Sequence, residues 1–231
     1  ITKISYKEFN DIYKKMNIKF DLVLGESFYR HKLNRVYKEL YETGIFKYND
    51  GALIKIYNDK EGSYPFIIRK SDGSSNYAAI DLAKILYSVE ELNIDKIIYV
   101  TDKRQENHFK YLFLTIKEWF NLKKYKIPEL HHISFGTILD KNKKPFKTRS
   151  GDLIPLKDLL SESVKKAYEI INIKNPTIIE SEKQKIANKI GINSIKYFDL
   201  VQNIKSDYVF DWKNSYFLSK MLWQNLDVCM C

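Results

Sequence analysis

Cysteine is nearly missing. The 231 residues contain two, Cys229 and Cys231, at the extreme end of the chain. Two thiols that close together make neither a disulfide framework nor a four-ligand zinc site, and a cytoplasmic setting is expected. No apolar run reaches bilayer-spanning length, and the N-terminus carries no signal-peptide pattern, so no membrane partner is expected. No G-x-S-x-G motif occurs, which leaves Ser-His-Asp chemistry without support. His131 and His132 have no acid or cysteine at ligand spacing, and no metal site is read. Glycine (8) and proline (5) are scarce, and no low-complexity linker or internal repeat marks a domain boundary. The chain opens on Ile1 rather than Met, as a piece of a longer chain would.

What is present is apolar, aromatic and basic. Hydrophobic residues make up 44% and aromatics 14%, the composition of a globular domain with a sizeable core. The net charge of +10 suits a nucleic-acid or polyphosphate partner. A general enrichment in Lys, Asn and Ile explains the same number without any partner, and both readings stand.

Periodicity orders the chain. Tyr6, Phe9, Ile12, Tyr13 and Met16 share one helical face, with Ser5 as N-cap. A second helix is expected over 26–43, stopped by Gly44. Asn49-Asp50-Gly51 joins two short β-like runs, 45–48 and 52–57, as a hairpin. From Tyr64 the rhythm becomes strand, helix, strand, helix, strand: 65–68, 77–92, 96–100, a helix to about 120, and 131–135. That alternation predicts an α/β fold with a parallel sheet and flanking helices. The expected division is a small α+β appendage over 1–60, the sheet domain over 61–175 and a helical segment over 176–231, with a break near Gly191.

In such sheets ligands bind beyond the carboxyl ends of the strands. Three polar clusters lie there: 70–81, 101–108 and 136–151. In the first, Tyr77 and Asp81 are one helical turn apart, so a carboxylate and a phenol project together. The carboxylate suits a guanidinium or an ammonium; a half-solvated first turn favoured by the helix dipole accounts for it as well. In the second, Gln105 offers a donor and an acceptor, and His108 is read as a capping or packing residue. In the third, Lys144 and Lys147 precede Thr148, Arg149, Ser150 and Gly151, and Pro155 opens a helix with the stripe Leu156, Leu159, Leu160, Val164, Ala167, Tyr168, Ile171. Cationic side chains on a hinged loop can follow a polyphosphate as its charge moves; a basic surface loop before a core helix is the plainer alternative.

These clusters, in this order, resemble the arginyl-tRNA synthetase family. KSDGSSNYAAIDLA (70–83) is similar to the family's K-S-D-G-G-x-x-Y-x-T-x-D-L-A, and IIYVTDKRQENHF (97–109) to its I-I-Y-V-x-D-x-x-Q-x-x-H-F. HISFGTIL with KPFKTRSG and LKDLL resembles the region of the degenerate KMSKS loop. FDLVLGESFY, GINSIKYFDL and DYVFDW match further blocks, so the likeness runs over roughly residues 5–212.

The resemblance implies a class I, Rossmann-type catalytic domain that activates L-arginine with ATP and transfers it to tRNA(Arg), with Mg2+ accompanying ATP. It implies that Tyr77, Asp81 and Gln105 hold the arginine side chain. It implies that Lys144 and Lys147 act catalytically on the departing pyrophosphate, and that His132, Phe135, Gly136, Lys144, Lys147 and Thr148 contact ATP.

The sequence also departs from the family. Ser74-Ser75 replaces Gly-Gly, Ile80 stands for the Thr before Asp, and the His-x-Gly-His motif is absent. The G-N-T-x-x-Y-x-x-Y-A block after Trp212 and the anticodon-binding domain are absent too. The expectation is therefore the second half of a catalytic domain, inactive alone and completed by more polypeptide or a partner chain. The alternative is a non-catalytic truncated paralogue that binds arginine, nucleotide or RNA.

Overall fold

A computed structural model of the protein describes residues 2–60, 62–139, 142–144 and 155–209. The chain divides into two compact units, Leu22–Phe135 and, from both ends, Ile1–Asp21 with Gly136–Cys231. These limits differ from the expected boundaries at residues 60 and 175, because the chain after Phe135 joins its own N-terminal helix. Among the described residues, no helix is long and apolar enough to cross a membrane.

The central unit begins with a 3-10 segment, Glu26–Lys32, that runs into helix α2, Leu33–Glu42. The single helix expected over 26–43 is thus two elements. Gly44 ends it at φ 74°, a conformation that side chains disfavour. Strands β1 (Lys47–Asn49), β2 (Ala52–Asp59) and β3 (Gly62–Arg69) form an antiparallel sheet in that order. Asp50 and Gly51, at φ 46° and 79°, make the expected tight turn between β1 and β2.

The strand expected at 65–68 exists but belongs to this antiparallel sheet, with Lys55 opposite Phe66 and Tyr57 opposite Tyr64. The reason is geometric. Only residues 60 and 61 separate β2 from β3, and a parallel connection needs a dozen residues or more.

Helix α3, Tyr77–Glu90, follows; Ala78, Ala79, Leu82, Ala83, Ile85 and Leu86 are buried along it. Strand β4 (Lys96–Asp102), helix α4 (Glu106–Lys123) and strand β5 (Glu129–Phe135) complete the unit. β4 and β5 run parallel, with Lys96 opposite Glu129 and Asp102 opposite Phe135. This is the predicted crossover, with α4 as its helix. One sheet face, Ile97, Tyr99 and Leu130, packs on the core with Phe109, Leu112, Ile116, Trp119 and Phe120 of α4. The other face is open: Ile98, Val100, Ile133 and Phe135 are 40–58% exposed. Among the described residues β4 and β5 pair only with each other.

A buried carboxylate fastens α2 to α4. Glu39 accepts hydrogen bonds from Arg35 Nε at 2.7 Å, Trp119 Nε1 at 3.0 Å and Tyr125 Oη at 2.9 Å. Burial pushes its pKa up, but the hydrogen bonds from Arg35, Tyr125 and Trp119 outweigh that and hold it below the ordinary value.

The second unit is mainly helical: α1 (Thr2–Lys15), α5 (Leu156–Lys174) and α6 (Glu180–Val201), with the short parallel strands β6 (Ile138–Leu139) and β7 (Tyr208–Val209). Helix α1 starts before Ser5, which is therefore not its N-cap. Leu160, Ala167 and Ile171 of the predicted α5 stripe are buried, and Leu160 packs with Ile195, Ile12 and Met16. α6 runs unbroken through Gly191. The glycine is there for contact instead: a Cβ would lie 2.6 Å from Val164 Cα of α5, and Ser163 Oγ donates to the Gly191 carbonyl at 2.9 Å.

Candidate functional site

The site grows from the junction of β3 and α3. Asn76 caps α3 by accepting from the Tyr77 N–H at 2.7 Å, and its own amide donates to the Ile67 carbonyl at 3.0 Å. One side chain thus ties strand to helix and fixes where the first turn points. Ala78, Ala79 and Ile80 face the core, which leaves Tyr77 55% exposed and places Asp81 at the margin, its side chain 14% exposed.

Asp81 is held on two sides. His108 Nε2, from the first turn of α4, lies 2.8 Å from Oδ2, and Lys84 Nζ donates to Oδ1 at 3.1 Å. The Tyr77 ring meets the His108 ring edge-on, 4.7 Å between centroids. Tyr64 of β3 stands beside Tyr77; its phenol is pushed up by burial first, then by the neighbouring Tyr77, to which it is also hydrogen-bonded. Burial likewise pushes up Tyr99, and the Asp81 charge adds to the effect. A sheltered carboxylate beneath an exposed phenol, with a half-exposed lysine as its resident cation, is equipped to accept an incoming cation in a charge-assisted hydrogen bond.

Gln105 is exposed at the N-cap of α4. It lies three residues before His108, on the same side of that helix start. Asp102 caps the preceding 3-10 turn through the Arg104 N–H at 2.8 Å and also pairs with the Arg104 guanidinium.

His132 turns toward α4. Its ring stacks on Phe109 at 4.5 Å, and Nε2 lies 2.8 Å from Thr101 Oγ1. Burial lowers its pKa, and the Glu106 charge opposes that. Phe135 lies on the opposite, open face, as strand alternation requires of residues three apart. The structure therefore does not bring His132 and Phe135 to one face.

Gly136 is buried. Its N–H donates to the Ile204 carbonyl at 2.8 Å, and a Cβ there would lie 2.1 Å from the Ser206 carbonyl oxygen, so close packing alone demands glycine. Lys144 is exposed. Lys147 and Thr148 lie outside the described residues.

The contact that the sequence did not reveal belongs to His108. It is buried as expected of a packing residue, but it also grips Asp81. The available signal was its spacing from Gln105, one turn along the same helix, with the partner 27 residues away on a different helix.

Comparison with known proteins bears on the family and the fold. The family model for "tRNA synthetases class I (R), catalytic domain" matches residues 1–212. The arginine–tRNA ligase of Fusobacterium nucleatum is 39% identical over 209 residues, covering 90% of this chain and 36% of that protein. That of Clostridium botulinum strain Langeland is 38% identical over 214 residues, covering 91% and 36%. Among solved structures, Plasmodium falciparum arginyl-tRNA synthetase superposes with a TM-score of 0.76 at 29% identity, over 96% of this chain and 35% of that one. The Thermus thermophilus enzyme, at 18% identity, shares the fold with a TM-score of 0.68 over 87% of this chain and 39% of that one. This chain spans little more than a third of the length of these relatives, and it belongs to the family of class I arginyl-tRNA synthetase catalytic domains.

Proposed function

We propose that this chain is a portion of an arginine–tRNA ligase whose complete form activates L-arginine with magnesium-bound ATP and transfers it to tRNA(Arg). We assign the arginine side-chain pocket to Tyr77, Asp81 and Gln105. The observation that carries this reading is Asp81, a sheltered carboxylate whose Oδ1 is answered by a half-exposed lysine. A guanidinium can take the place of that lysine, and its planar fork matches a carboxylate better than an ammonium does. Tyr77 supplies an open ring for stacking, and Gln105 a neutral donor and acceptor.

In activation the arginine carboxylate oxygen attacks the α-phosphorus of ATP, and the bond to pyrophosphate breaks. Lys144 and Lys147 are assigned to the charge that develops on the leaving group. Thr148, His132, Phe135 and Gly136 are assigned to ATP. Of the two rings, Phe135 is the open one, whereas His132 supports the sheet from its α4 side.

The open face of Ile98, Val100, Ile133 and Phe135, together with relatives of which this chain covers little more than a third, supports completion by further polypeptide of the same protein. We therefore assign adenylate formation to the complete protein and not to this chain alone. Arginine-dependent ATP–pyrophosphate exchange tests this. The complete protein should exchange, its Asp81→Asn variant should not, and the isolated chain should not. Exchange by the chain alone would overturn the assignment to the complete protein.

A second reading, an arginine-binding module without catalysis, is favoured by one observation. Tyr77, Asp81 and Gln105 all belong to the unit Leu22–Phe135, which has its own core. Arginine binding without exchange in the complete protein would select it.

A further inference from the structure

His108 is an unusual choice for its place. Its side chain is 5% exposed and its ring is surrounded by Phe66 of β3, Phe109 of α4 and Tyr77 of α3, at centroid distances of 5.8, 5.0 and 4.7 Å. Phenylalanine would fill that space equally well. Histidine brings two polar nitrogens into an apolar setting, and one of them, Nδ1, is buried with no hydrogen-bond partner among the described residues. Leaving a buried polar atom unanswered is unfavourable, so packing does not explain the residue. The other nitrogen does: Nε2 lies 2.8 Å from Asp81 Oδ2.

The geometry also sets the proton. A carboxylate oxygen accepts, so Nε2 is the donor, and Nδ1 has no partner among the described residues to receive a hydrogen from it. The titratable groups facing this pair are Lys84 and Tyr77 from α3, Tyr99 from β4 and His132 from β5. A lysine or arginine in the place of His108 would fix the carboxylate equally well but would cancel its charge. An imidazole donating from Nε2 fixes Oδ2 and leaves the negative charge for a cation at Oδ1, where Lys84 now sits.

Resting on the assignment of Asp81 to the arginine side chain, we infer that His108 is the positioning residue of that carboxylate. It holds one oxygen so that the other meets the guanidinium, and it does not itself touch the substrate.

The test is titration of L-arginine into the parent protein, His108→Phe and His108→Gln, with thermal melting of each. His108→Phe keeps the ring packing and removes the donor; arginine affinity should fall at least 10-fold while the melting temperature stays within a few degrees. His108→Gln restores an N–H at the same reach and should recover most of the affinity. Long-range proton–nitrogen spectra of the parent should show a proton-bearing Nε2 and a bare Nδ1 at His108. Arginine affinity in His108→Phe within two-fold of the parent overturns the inference but not the assignment of the site. A proton found on Nδ1 overturns it as well, even where the variants fail to fold. Absence of arginine binding by the parent overturns both.

Discussion

Removing the Glu39 carboxylate should loosen the central unit more than any surface change, and the structure fixes how much. The side chain is 10% exposed and receives hydrogen bonds from Arg35, Trp119 and Tyr125. In Glu39→Ala, Arg35 keeps its two bonds to Glu90, at 2.9 and 2.6 Å, so it loses little. Tyr125 keeps its contact with Arg35. Trp119, fully buried, keeps nothing for its N–H. An orphaned buried donor costs about 1–3 kcal/mol, and the vacated volume raises the total to roughly 3–5 kcal/mol. For a chain of this size that is a fall in melting temperature of about 10 °C. Glu39→Gln keeps the volume and one acceptor and should lose about 1–2 kcal/mol.

Because the folded pKa of Glu39 lies below its unfolded value, its contribution is complete above the unfolded value and disappears as pH falls through the folded one. The gap between parent and Glu39→Gln should therefore be widest near neutral pH and close in acid. Thermal melts followed by circular dichroism across that range decide it. A Glu39→Ala melt within about 2 °C of the parent, or a gap unchanged by acid, would refute the reasoning.

Two further outcomes follow from single residues. Gly191→Ala forces a methyl group against the Val164 backbone, so α5 and α6 must part; chemical denaturation should show a loss of about 1–3 kcal/mol, confined to the helical unit in hydrogen exchange. His132 should titrate below the ordinary histidine range in a proton NMR titration, because burial disfavours its charged form. Its depressed value means that any stability it contributes is present above the unfolded pKa and is lost as pH falls through the folded one.

The elements that stand on their own periodicity were legible in the sequence. Leu160, Ala167 and Ile171 mark the buried side of α5, and Ala78, Leu82, Ile85 and Leu86 that of α3. The Asp50-Gly51 turn was legible because only positive φ angles close it. What periodicity does not encode is pairing. The strand around Phe66 has the same alternation in a parallel or an antiparallel sheet, and the short link to β2 was the deciding clue. Gly191 was read as a breaker because sequence shows a missing side chain but not the helix pressed against the gap.

The site divides in the same way. Tyr77 and Asp81 were found because one helical turn joins them, and Asn76 caps the helix that presents them. The grip of His108 on Asp81 was not found, since it crosses from α4 to α3. His132 and Phe135 were grouped by the family resemblance, and strand alternation assigns them to opposite faces.

Asp81 is proposed to receive the guanidinium of arginine. The most direct measurement is calorimetric titration of the protein with L-arginine and with L-citrulline, which replaces the charged guanidinium by a neutral urea of the same shape. Arginine should bind, and citrulline should bind at least about 100-fold more weakly, as losing one partner of a sheltered charge pair costs about 2–5 kcal/mol. Asp81→Asn should abolish the difference. Equal affinity for the two ligands, or undiminished preference for arginine in Asp81→Asn, would contradict that role.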